Sequence, residues 1–160
     1  MSGKVVMVTG ASSGIGRATT MALAGMGAHV VMVCRNQEKG ERAREAVSKT
    51  TGSEVELMVC DLSLMANVRR FAKEFGASHP ALHVLVNNAG SVFQGYAETS
   101  ESLERTMAVD YFSPFLLTNL LIPALKAGAP SRVVNVASGA HFGGRLDLDN
   151  FNGRGASGRS

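Results

Sequence analysis

Short valine-rich runs alternate with longer helical patterns along this chain, and that alternation restricts the possible folds most. The runs are mostly apolar on both faces, as in the centre of a parallel sheet, and they predict strands at Lys4–Thr9, His29–Cys34, Val55–Cys60, His83–Asn87 and Arg132–Ala137. Helical periodicity between them predicts helices at Ile15–Met26, Gln37–Thr50, Leu64–Phe75 and Ser102–Lys126. Because repeated β-α units connect by right-handed crossovers, this order predicts an α/β, doubly wound parallel sheet.

The composition suits such a sheet. The 160 residues are 45% hydrophobic and 18% charged, which is typical of a globular chain and not of a disordered one. Aromatic residues are scarce and tryptophan is absent, so the core is expected to be built from valine, leucine, alanine and methionine. We expect one domain over residues 1–149, followed by a loop or frayed tail over residues 150–160.

Charge and cysteine content exclude several classes of function. The net charge of +3 is scattered, without a basic stripe interleaved with aromatics, so no nucleic-acid partner is expected. Cys34 and Cys60 each end a predicted strand and are expected to be reduced thiols at the core edge, with no metal site. Since the first strand begins by Lys4 or Val5, no signal peptide or membrane anchor is expected, and the predicted location is cytoplasmic.

A glycine-rich turn follows the first predicted strand at once. Residues 10–16 read Gly-Ala-Ser-Ser-Gly-Ile-Gly and lead directly into a helical pattern. Backbone N–H groups and the helix dipole can hold a pyrophosphate at such a turn. Gly10 is expected to allow the tight turn, Gly14 a close approach to the ligand, and Gly16 close packing of helix on strand. The alternative that this is a plain βα turn, which binds no ligand, remains open.

Four short motifs lie in order at the ends of the predicted strands. They are Thr9–Gly16, Asp61-Leu62, Asn87-Asn88-Ala89-Gly90 and Val134-Asn135-Val136-Ala137-Ser138. Together they resemble the short-chain dehydrogenase/reductase family over essentially the whole chain. The Cys34-Arg35-Asn36 and Ser138-Gly139-Ala140-His141 stretches resemble its retinol-dehydrogenase-like branch. The resemblance implies a Rossmann-type sheet of five strands in the order 3-2-1-4-5, without the last strands and helices of the family fold.

The resemblance also implies which residues bind a nicotinamide cofactor. The pyrophosphate is expected on the turn that contains Gly10, Ser12, Ser13, Gly14, Ile15 and Gly16. Asp61 resembles the acid that binds the adenine amino group, with Leu62 against the ring. Asn87 and Ala89 resemble residues that line the adenosine ribose, and Gly90 lets the chain pass close by. Two alternatives stay open: Asp61 as an acid at a helix N-terminus, and Asn87 as a tie between neighbouring strands.

Arg35 is the best indication of cofactor preference. In NAD-selective sites a carboxylate at the end of the second strand binds the ribose 2′-OH, and this chain has none there. A guanidinium suits a 2′-phosphate. We therefore predict NADP(H) in preference to NAD(H); a solvated arginine without such a role is the alternative.

The catalytic residues are only partly present. Ser138 resembles the family's catalytic serine, which hydrogen-bonds the substrate oxygen; on spacing alone, a Ser-Gly turn without that role is the alternative. Asp110 stands where the family usually has an asparagine that supports a proton relay; a packed helical Asp without function is the alternative. The family's Tyr-x-x-x-Lys is missing, since residue 100, four after Tyr96, is serine and residue 115, four after Tyr111, is phenylalanine. We expect this pair beyond Ser160, which makes the chain the N-terminal portion of a longer protein.

The resemblance implies an NADP-dependent oxidoreductase that transfers hydride between the cofactor and a carbonyl or alcohol substrate. The 160-residue chain is expected to be inactive alone, and the full-length form to be a homo-oligomer. Two alternatives remain: a form that binds nucleotide or a partner without turnover, and an inactive remnant.

Overall fold

The computed structural model describes residues 1–144 and 147–152 and contains one five-stranded parallel sheet. Its strands are β1 (Val5–Thr9), β2 (His29–Cys34), β3 (Glu56–Val59), β4 (Val84–Asn87) and β5 (Arg132–Asn135). They lie in the order β3-β2-β1-β4-β5, and every pairing is parallel. The predicted doubly wound sheet and its strand order are therefore confirmed.

Three long helices connect the first four strands, as predicted. They are α1 (Gly14–Gly25), α2 (Gln37–Thr51) and α3 (Met65–Ser78). The side chain of Asn36 caps α2 by accepting a hydrogen bond from the N–H of Lys39 at 2.8 Å. Gly52 ends the same helix in the left-handed conformation that favours glycine, at φ +69°.

The long helix predicted over Ser102–Lys126 is wrong as a single element. The structure has α4 (Arg105–Met107), a π-helical turn (Ala108–Phe112), α5 (Ser113–Leu120) and α6 (Ile122–Ala127). Ser102 lies in the left-handed region at φ +59°, and the helix begins only after Glu104, whose carboxylate accepts from the N–H groups of Thr106 and Met107. A break at Leu121 separates α5 from α6, since Pro123 has no N–H with which to continue the helical bonds.

Alternate strand residues face two separate buried clusters. One cluster joins β1 and β2 to α3 and α5, through Met7, Val31, Phe71, Phe75 and Leu117. The other joins the same strands to α1 and α2, through Val6, Val30, Ala24 and Val47. Because side chains alternate along a strand, this arrangement covers both faces of the central strands. The central strands are therefore held between two layers of helices, with their carboxyl ends at the edge that carries the predicted site.

Helix α3 is capped by a residue far along the chain. Ser63 precedes the helix but does not cap it: the cap position is Leu64, which makes no side-chain cap bond. The Glu101 carboxylate instead accepts from the backbone N–H groups of Met65 and Ala66, at 2.6 and 2.9 Å. Such a contact between distant segments satisfies the helix end as a local cap does.

The predicted tail over residues 150–160 is described only up to residue 152. Asn152 Oδ1 accepts a hydrogen bond from the Glu104 N–H at 2.9 Å. The Phe151 ring meets the rings of Tyr111 and Phe112 edge-on. These contacts hold residue 151 against the π-helical turn and residue 152 against the start of α4. The remainder of the predicted tail lies outside the described residues. None of the described helices combines the length and apolar character needed to cross a bilayer.

Candidate functional site

A cleft of about 540 Å³ opens at the edge of the sheet where β1 to β4 end. In open α/β sheets, ligands bind at this edge, beside the point where the strand order reverses. Eleven of the twelve residues predicted to bind a cofactor line the cleft: Gly10, Ser12, Ser13, Gly14, Ile15, Gly16, Arg35, Asp61, Leu62, Ala89 and Gly90. The structure thus brings residues from four segments into one site.

The glycine turn between β1 and α1 has little room for side chains. Gly10 has φ +66°, and a Cβ built on it lies 2.9 Å from the Cα of Ala89. A Cβ on Gly16 overlaps the carbonyl oxygen of Gly10 and lies 2.5 Å from Nδ2 of Asn88. Gly14 has φ +52° and open space around its Cβ position. The turn therefore needs glycine for backbone conformation at Gly10 and Gly14, and for close packing at Gly16.

The N-terminus of α1 suits an anion. The helix begins at Gly14, and the side chain of Ser13 at its cap position makes no cap hydrogen bond. The first N–H groups of a helix have no partner within the helix, and the dipole adds positive potential there. Ser13, Gly14 and Ile15 are exposed on the cleft, with the side chain of Ile15 65% accessible. A pyrophosphate fits this uncapped end.

Thr9 and Asn88 hold the base of the cleft together, and the sequence reasoning did not single them out as site residues. Thr9 Oγ1 accepts from the backbone N–H groups of Asn88 and Ala89, each at 2.9 Å. Asn88 Nδ2 donates to the carbonyl oxygen of Thr9 at 2.8 Å. Thr9 belongs to the glycine-turn motif and Asn88 to the Asn-Asn-Ala-Gly motif. Their hydrogen bonds depend on the adjacency of β1 and β4, so the predicted strand order is the signal from which these contacts could have been inferred.

Asn87 is the predicted cofactor residue that does not line the cleft. It is buried, and its Nδ2 donates to Asn135 Oδ1 at 2.8 Å and to Thr118 Oγ1 at 3.1 Å. These bonds join β4 to β5 and to α5. The structure therefore favours the alternative in which Asn87 ties neighbouring elements together.

Asp61 presents a carboxylate to the cleft from a turn after β3. Its Oδ1 accepts from the N–H and the hydroxyl of Ser63, at 3.0 and 2.7 Å. Its second oxygen has no hydrogen-bond partner within residues 1–144 and 147–152, and so is available to a ligand amino group. The alternative role at a helix N-terminus loses support, because Glu101 caps α3 and that helix starts only at Met65.

The two cysteines lie side by side at the ends of β2 and β3. The N–H of Cys60 donates to the carbonyl oxygen of Cys34 at 3.0 Å, and both residues are free and buried. Burial raises the pKa of both thiols, that of Cys60 to about 12. Cys60 contributes to the cleft wall as a neutral thiol.

A second cavity of about 630 Å³ adjoins the cleft and is strongly basic. The two share Ser12, Ser13 and Arg35, and the second cavity is lined also by Arg17, Asn36, Lys39, Arg42 and Ala43. Arg42 pairs with Glu38 at 3.3 Å, whereas Arg35 and Lys39 make no ion pair in the described part of the chain. This arrangement offers positive charge to an anionic group at the end of β2.

Ser138 lies outside the lining of both cavities. It follows β5, is exposed, and its Oγ accepts a hydrogen bond from the N–H of Ala140 at 3.2 Å. It thereby caps the short 3₁₀ helix over Gly139–Gly143. Nδ1 of His141 donates to the carbonyl oxygen of Ser138 at 2.6 Å.

Asp110 stands in the π-helical turn beside the mouth of the cleft. Its Oδ1 accepts from the N–H of Ser91 at 3.0 Å. Partial burial of its carboxyl raises the pKa of Asp110, the Ser91 hydrogen bond opposes that rise, and the charge of Glu104 adds to it. The residue as a whole is exposed, so solvent weakens these effects. π-turns inside helices occur frequently at functional sites.

Comparison with known proteins identifies the family. The model of the short chain dehydrogenase family matches residues 4–148. Retinol dehydrogenase 11 of Homo sapiens is 46% identical over 152 residues, which cover 94% of this chain and 48% of that protein. Dehydrogenase/reductase SDR family member 13 of Homo sapiens is 48% identical over 147 residues, covering 91% of this chain and 38% of that protein.

A solved structure gives the same result. A metagenomic short-chain oxidoreductase in complex with NADP superimposes with a TM-score of 0.76 at 35% identity, covering 86% of this chain and 63% of that one. The chain therefore spans about half or less of the length of the curated relatives named above. With the family model matching almost its whole length, the chain belongs to the short-chain dehydrogenase/reductase family and resembles its retinol-dehydrogenase-like members.

Proposed function

We propose that this chain is the nucleotide-binding portion of an NADP(H)-dependent oxidoreductase that acts on a carbonyl or secondary-alcohol substrate. The observation that carries the proposal is the cleft at the ends of β1 to β4, with an uncapped helix end on one side and a basic cavity adjoining it. The family supports nicotinamide chemistry, and the structural relative in complex with NADP supports the choice of nucleotide.

The preference for NADP(H) rests on charge at the end of β2. A carboxylate at that position would bind a ribose 2′-OH and repel a 2′-phosphate, and this chain has Arg35 there. Lys39 and Arg17 add positive charge in the same cavity. A guanidinium and an ammonium group without ion-pair partners in the described residues are free to bind a phosphate dianion.

Each lining residue has a role in this proposal. The N-terminus of α1 binds the pyrophosphate through backbone N–H groups, and Gly14 permits its approach. The free carboxylate oxygen of Asp61 accepts from the adenine amino group, and Leu62 packs against the ring. Ala89 and Gly90 border the adenosine ribose. The bound cofactor supplies or accepts the hydride, and the hydroxyl of Ser138 hydrogen-bonds the substrate oxygen.

The Tyr-x-x-x-Lys pair that serves the proton step in the family is absent from residues 1–160. The family uses a tyrosine with a lysine four residues later, and neither Tyr96 nor Tyr111 has that lysine. A general acid contributes typically about 10² to 10⁴ in rate. We therefore propose that the 160-residue chain binds NADP(H) without turning over substrate. The missing pair also favours the second candidate function, a nucleotide-binding form that does not catalyse.

Titration calorimetry with NADPH and NADH tests this function. The 160-residue chain is expected to bind NADPH more tightly than NADH. Arg35→Asp is expected to reduce the preference at least about tenfold, because one ion pair with the 2′-phosphate is lost and a repulsion is added. Arg69→Asp, an equal change of charge outside both cavities, is the matched control and leaves the ratio unchanged. An unchanged ratio in Arg35→Asp contradicts the preference, and no binding of either nucleotide contradicts the function.

Turnover is measured separately, as NADPH oxidation with a panel of aldehydes and ketones. Binding without measurable oxidation is the expected result. Oxidation at a rate typical of an enzyme, about 1 s⁻¹ or above, would mean that another residue donates the proton and would contradict the proposed lack of turnover.

A further inference from the structure

Three ligating side chains meet at the edge of the sheet opposite the cleft. His29 begins β2, Glu56 begins β3, and His79 follows the last residue of α3. Nε2 of His29 and Nε2 of His79 lie 3.1 and 3.0 Å from the same carboxylate oxygen, Oε2 of Glu56. All three ligating atoms lie within 4.8 Å of one another. We call this group the histidine-glutamate cluster.

We propose that the histidine-glutamate cluster is a binding site for a divalent transition metal ion of the zinc type. Two imidazole nitrogens and one carboxylate oxygen are ligands that such ions prefer. In a tetrahedral zinc site with bonds of about 2.0–2.1 Å, neighbouring ligand atoms lie about 3.3 Å apart. The two distances to Glu56 Oε2, 3.0 and 3.1 Å, need only a small widening to accept an ion.

The ring of His79 is already held in place. It stacks on Phe75 with centroids 4.5 Å apart and planes 8° from parallel, and its side chain is 12% exposed. Its Nδ1 lies 3.0 Å from the hydroxyl oxygen of Ser78, which is also 3.1 Å from the carbonyl oxygen of Glu74. Partners of this kind on the second ring nitrogen orient metal-binding histidines and fix their tautomer.

Binding of a metal ion to the cluster requires a change of tautomer in each ring and releases no proton. Without an ion, an Nε2–H group on each ring can donate to Oε2 of Glu56, over 3.1 and 3.0 Å. Binding of an ion moves each ring proton from Nε2 to Nδ1, so that both Nε2 lone pairs coordinate. The Nδ1–H of His79 then donates to Ser78, whose hydroxyl donates to Glu74. The ring of His29 is 48% exposed, so its Nδ1–H donates to water, and water completes the coordination.

The ion would join β2, β3 and the end of α3 at one point. From His29 to Arg35 is six residues of extended chain, about 20 Å, so this site lies away from the nucleotide cleft. Its expected effect is on the stability of the fold, because a ligand that binds only the folded state stabilises it by mass action. The sequence predicted no metal site, since Glu56 lies 27 residues from His29 and 23 from His79.

Calorimetry with Zn²⁺ on the 160-residue chain tests the proposal. One ion is expected to bind per chain, with a micromolar Kd, and a saturating concentration is expected to raise the Tm by several degrees. Glu56→Gln and His79→Gln are expected to weaken binding at least about tenfold, as loss of one ligand does. His141→Gln removes a histidine outside the cluster and serves as the matched control, with binding unchanged. Absence of binding, or equal binding by all four proteins, overturns the proposal.

A second measurement uses the unmodified chain and does not depend on variants that fold. Diethyl pyrocarbonate modifies exposed histidines, and mass spectrometry locates the products. Zn²⁺ is expected to slow modification of His29 at least about fivefold while leaving His141, also exposed, unprotected. If Zn²⁺ does not slow the modification of His29 relative to that of His141, the proposal is contradicted, whatever the variants do.

Discussion

Strands β2 and β5 have similar sequences and opposite surroundings. Both are parallel and contain consecutive valines, yet β2 is buried at five of its six positions and β5 is exposed at all four. Strand β2 pairs with β1 and β3 and has helices on both faces, whereas β5 pairs within the described residues only with β4. The comparison teaches that the neighbours of a strand, and not its own pattern, decide how deeply it is buried.

The helices repeat the difference. In α3 the aromatic residues Phe71 and Phe75 are 2% and 0% exposed. On the side of β5, Phe115 is 63% exposed, and Tyr111 and Ile122 are 51% and 39% exposed. A set of apolar side chains this accessible is typical of a surface that contacts another segment or molecule. The side of the sheet that contains β2 and α3 is therefore well packed, whereas the side of β5 exposes apolar side chains to solvent.

The largest expected effect compares one valine from each strand. Val31→Asp places a charge where Val31 is 0% exposed. It is expected to lower the free energy of unfolding by more than about 4 kcal/mol, which is enough to prevent folding. Val133→Asp, at a position 40% exposed, is expected to cost less than about 1 kcal/mol. Circular dichroism and urea unfolding measure both, and equal losses would contradict the difference between the strands.

A pair of helical glycines compares the tight turn with an open helix surface. Gly16→Ala is expected to lower the free energy of unfolding by about 2–3 kcal/mol and to abolish nucleotide binding, because the added Cβ meets Asn88 and the backbone of Gly10. Gly76→Ala, in α3, has nothing within 4 Å of its Cβ and is expected to stabilise by about 0.5–1 kcal/mol. Urea unfolding and NADPH titration measure the pair. A stable, nucleotide-binding Gly16→Ala protein would contradict the packing described for the turn.

The open side predicts self-association of the 160-residue chain. Light scattering after size exclusion is expected to show species larger than a monomer at concentrations of tens of micromolar, on the order at which exposed apolar patches associate. The double substitution Phe115→Ser and Ile122→Ser is expected to shift the chain toward monomer. A wild-type chain that stays monomeric and unfolds cooperatively at an ordinary Tm would contradict the importance of this surface.

The smallest effect concerns the pKa of Asp110. Since its folded-state pKa is raised, ionisation of the carboxyl destabilises the fold at neutral pH. Asp110→Asn keeps an oxygen to accept from Ser91 and is expected to raise the free energy of unfolding at pH 7 by less than about 1 kcal/mol, because the residue is exposed. The gain should shrink as the pH falls and vanish below the ordinary pKa of 3.8, where both states are protonated. A gain that is constant from pH 7 to that value would contradict the shift.

The sequence predicted the elements that depend on local pattern. The buried strands β1 and β2 lie within one residue of their predicted ends, because a run of apolar residues between turn signals is a local property. Arg35 and Asp61 were predicted as members of one site from the resemblance of their motifs to the family, and both line the cleft. The strand order followed from the same resemblance.

The features that the sequence did not predict depend on contacts between distant segments. Glu101 caps α3 from 35 residues away, and no local pattern around the start of that helix reveals the contact. The helix predicted from Ser102 starts only at Arg105, because Ser102 is left-handed, which an apolar periodicity does not reveal. Asn87 and Asn88 are adjacent in sequence, and only the pairing of β4 with its two neighbours decides which of them faces the cleft.

Hydrogen exchange with and without NADPH tests the central claim most directly, because it reads both sides of the molecule at once. NADPH is expected to slow exchange in three segments, the turn over residues 10–16, the end of β2 at Arg35 and the turn at Asp61. The rate of exchange in β5 and α6 is expected to stay unchanged. Protection limited to β5 and α6, or no protection at saturating NADPH, would contradict the assignment of the nucleotide site.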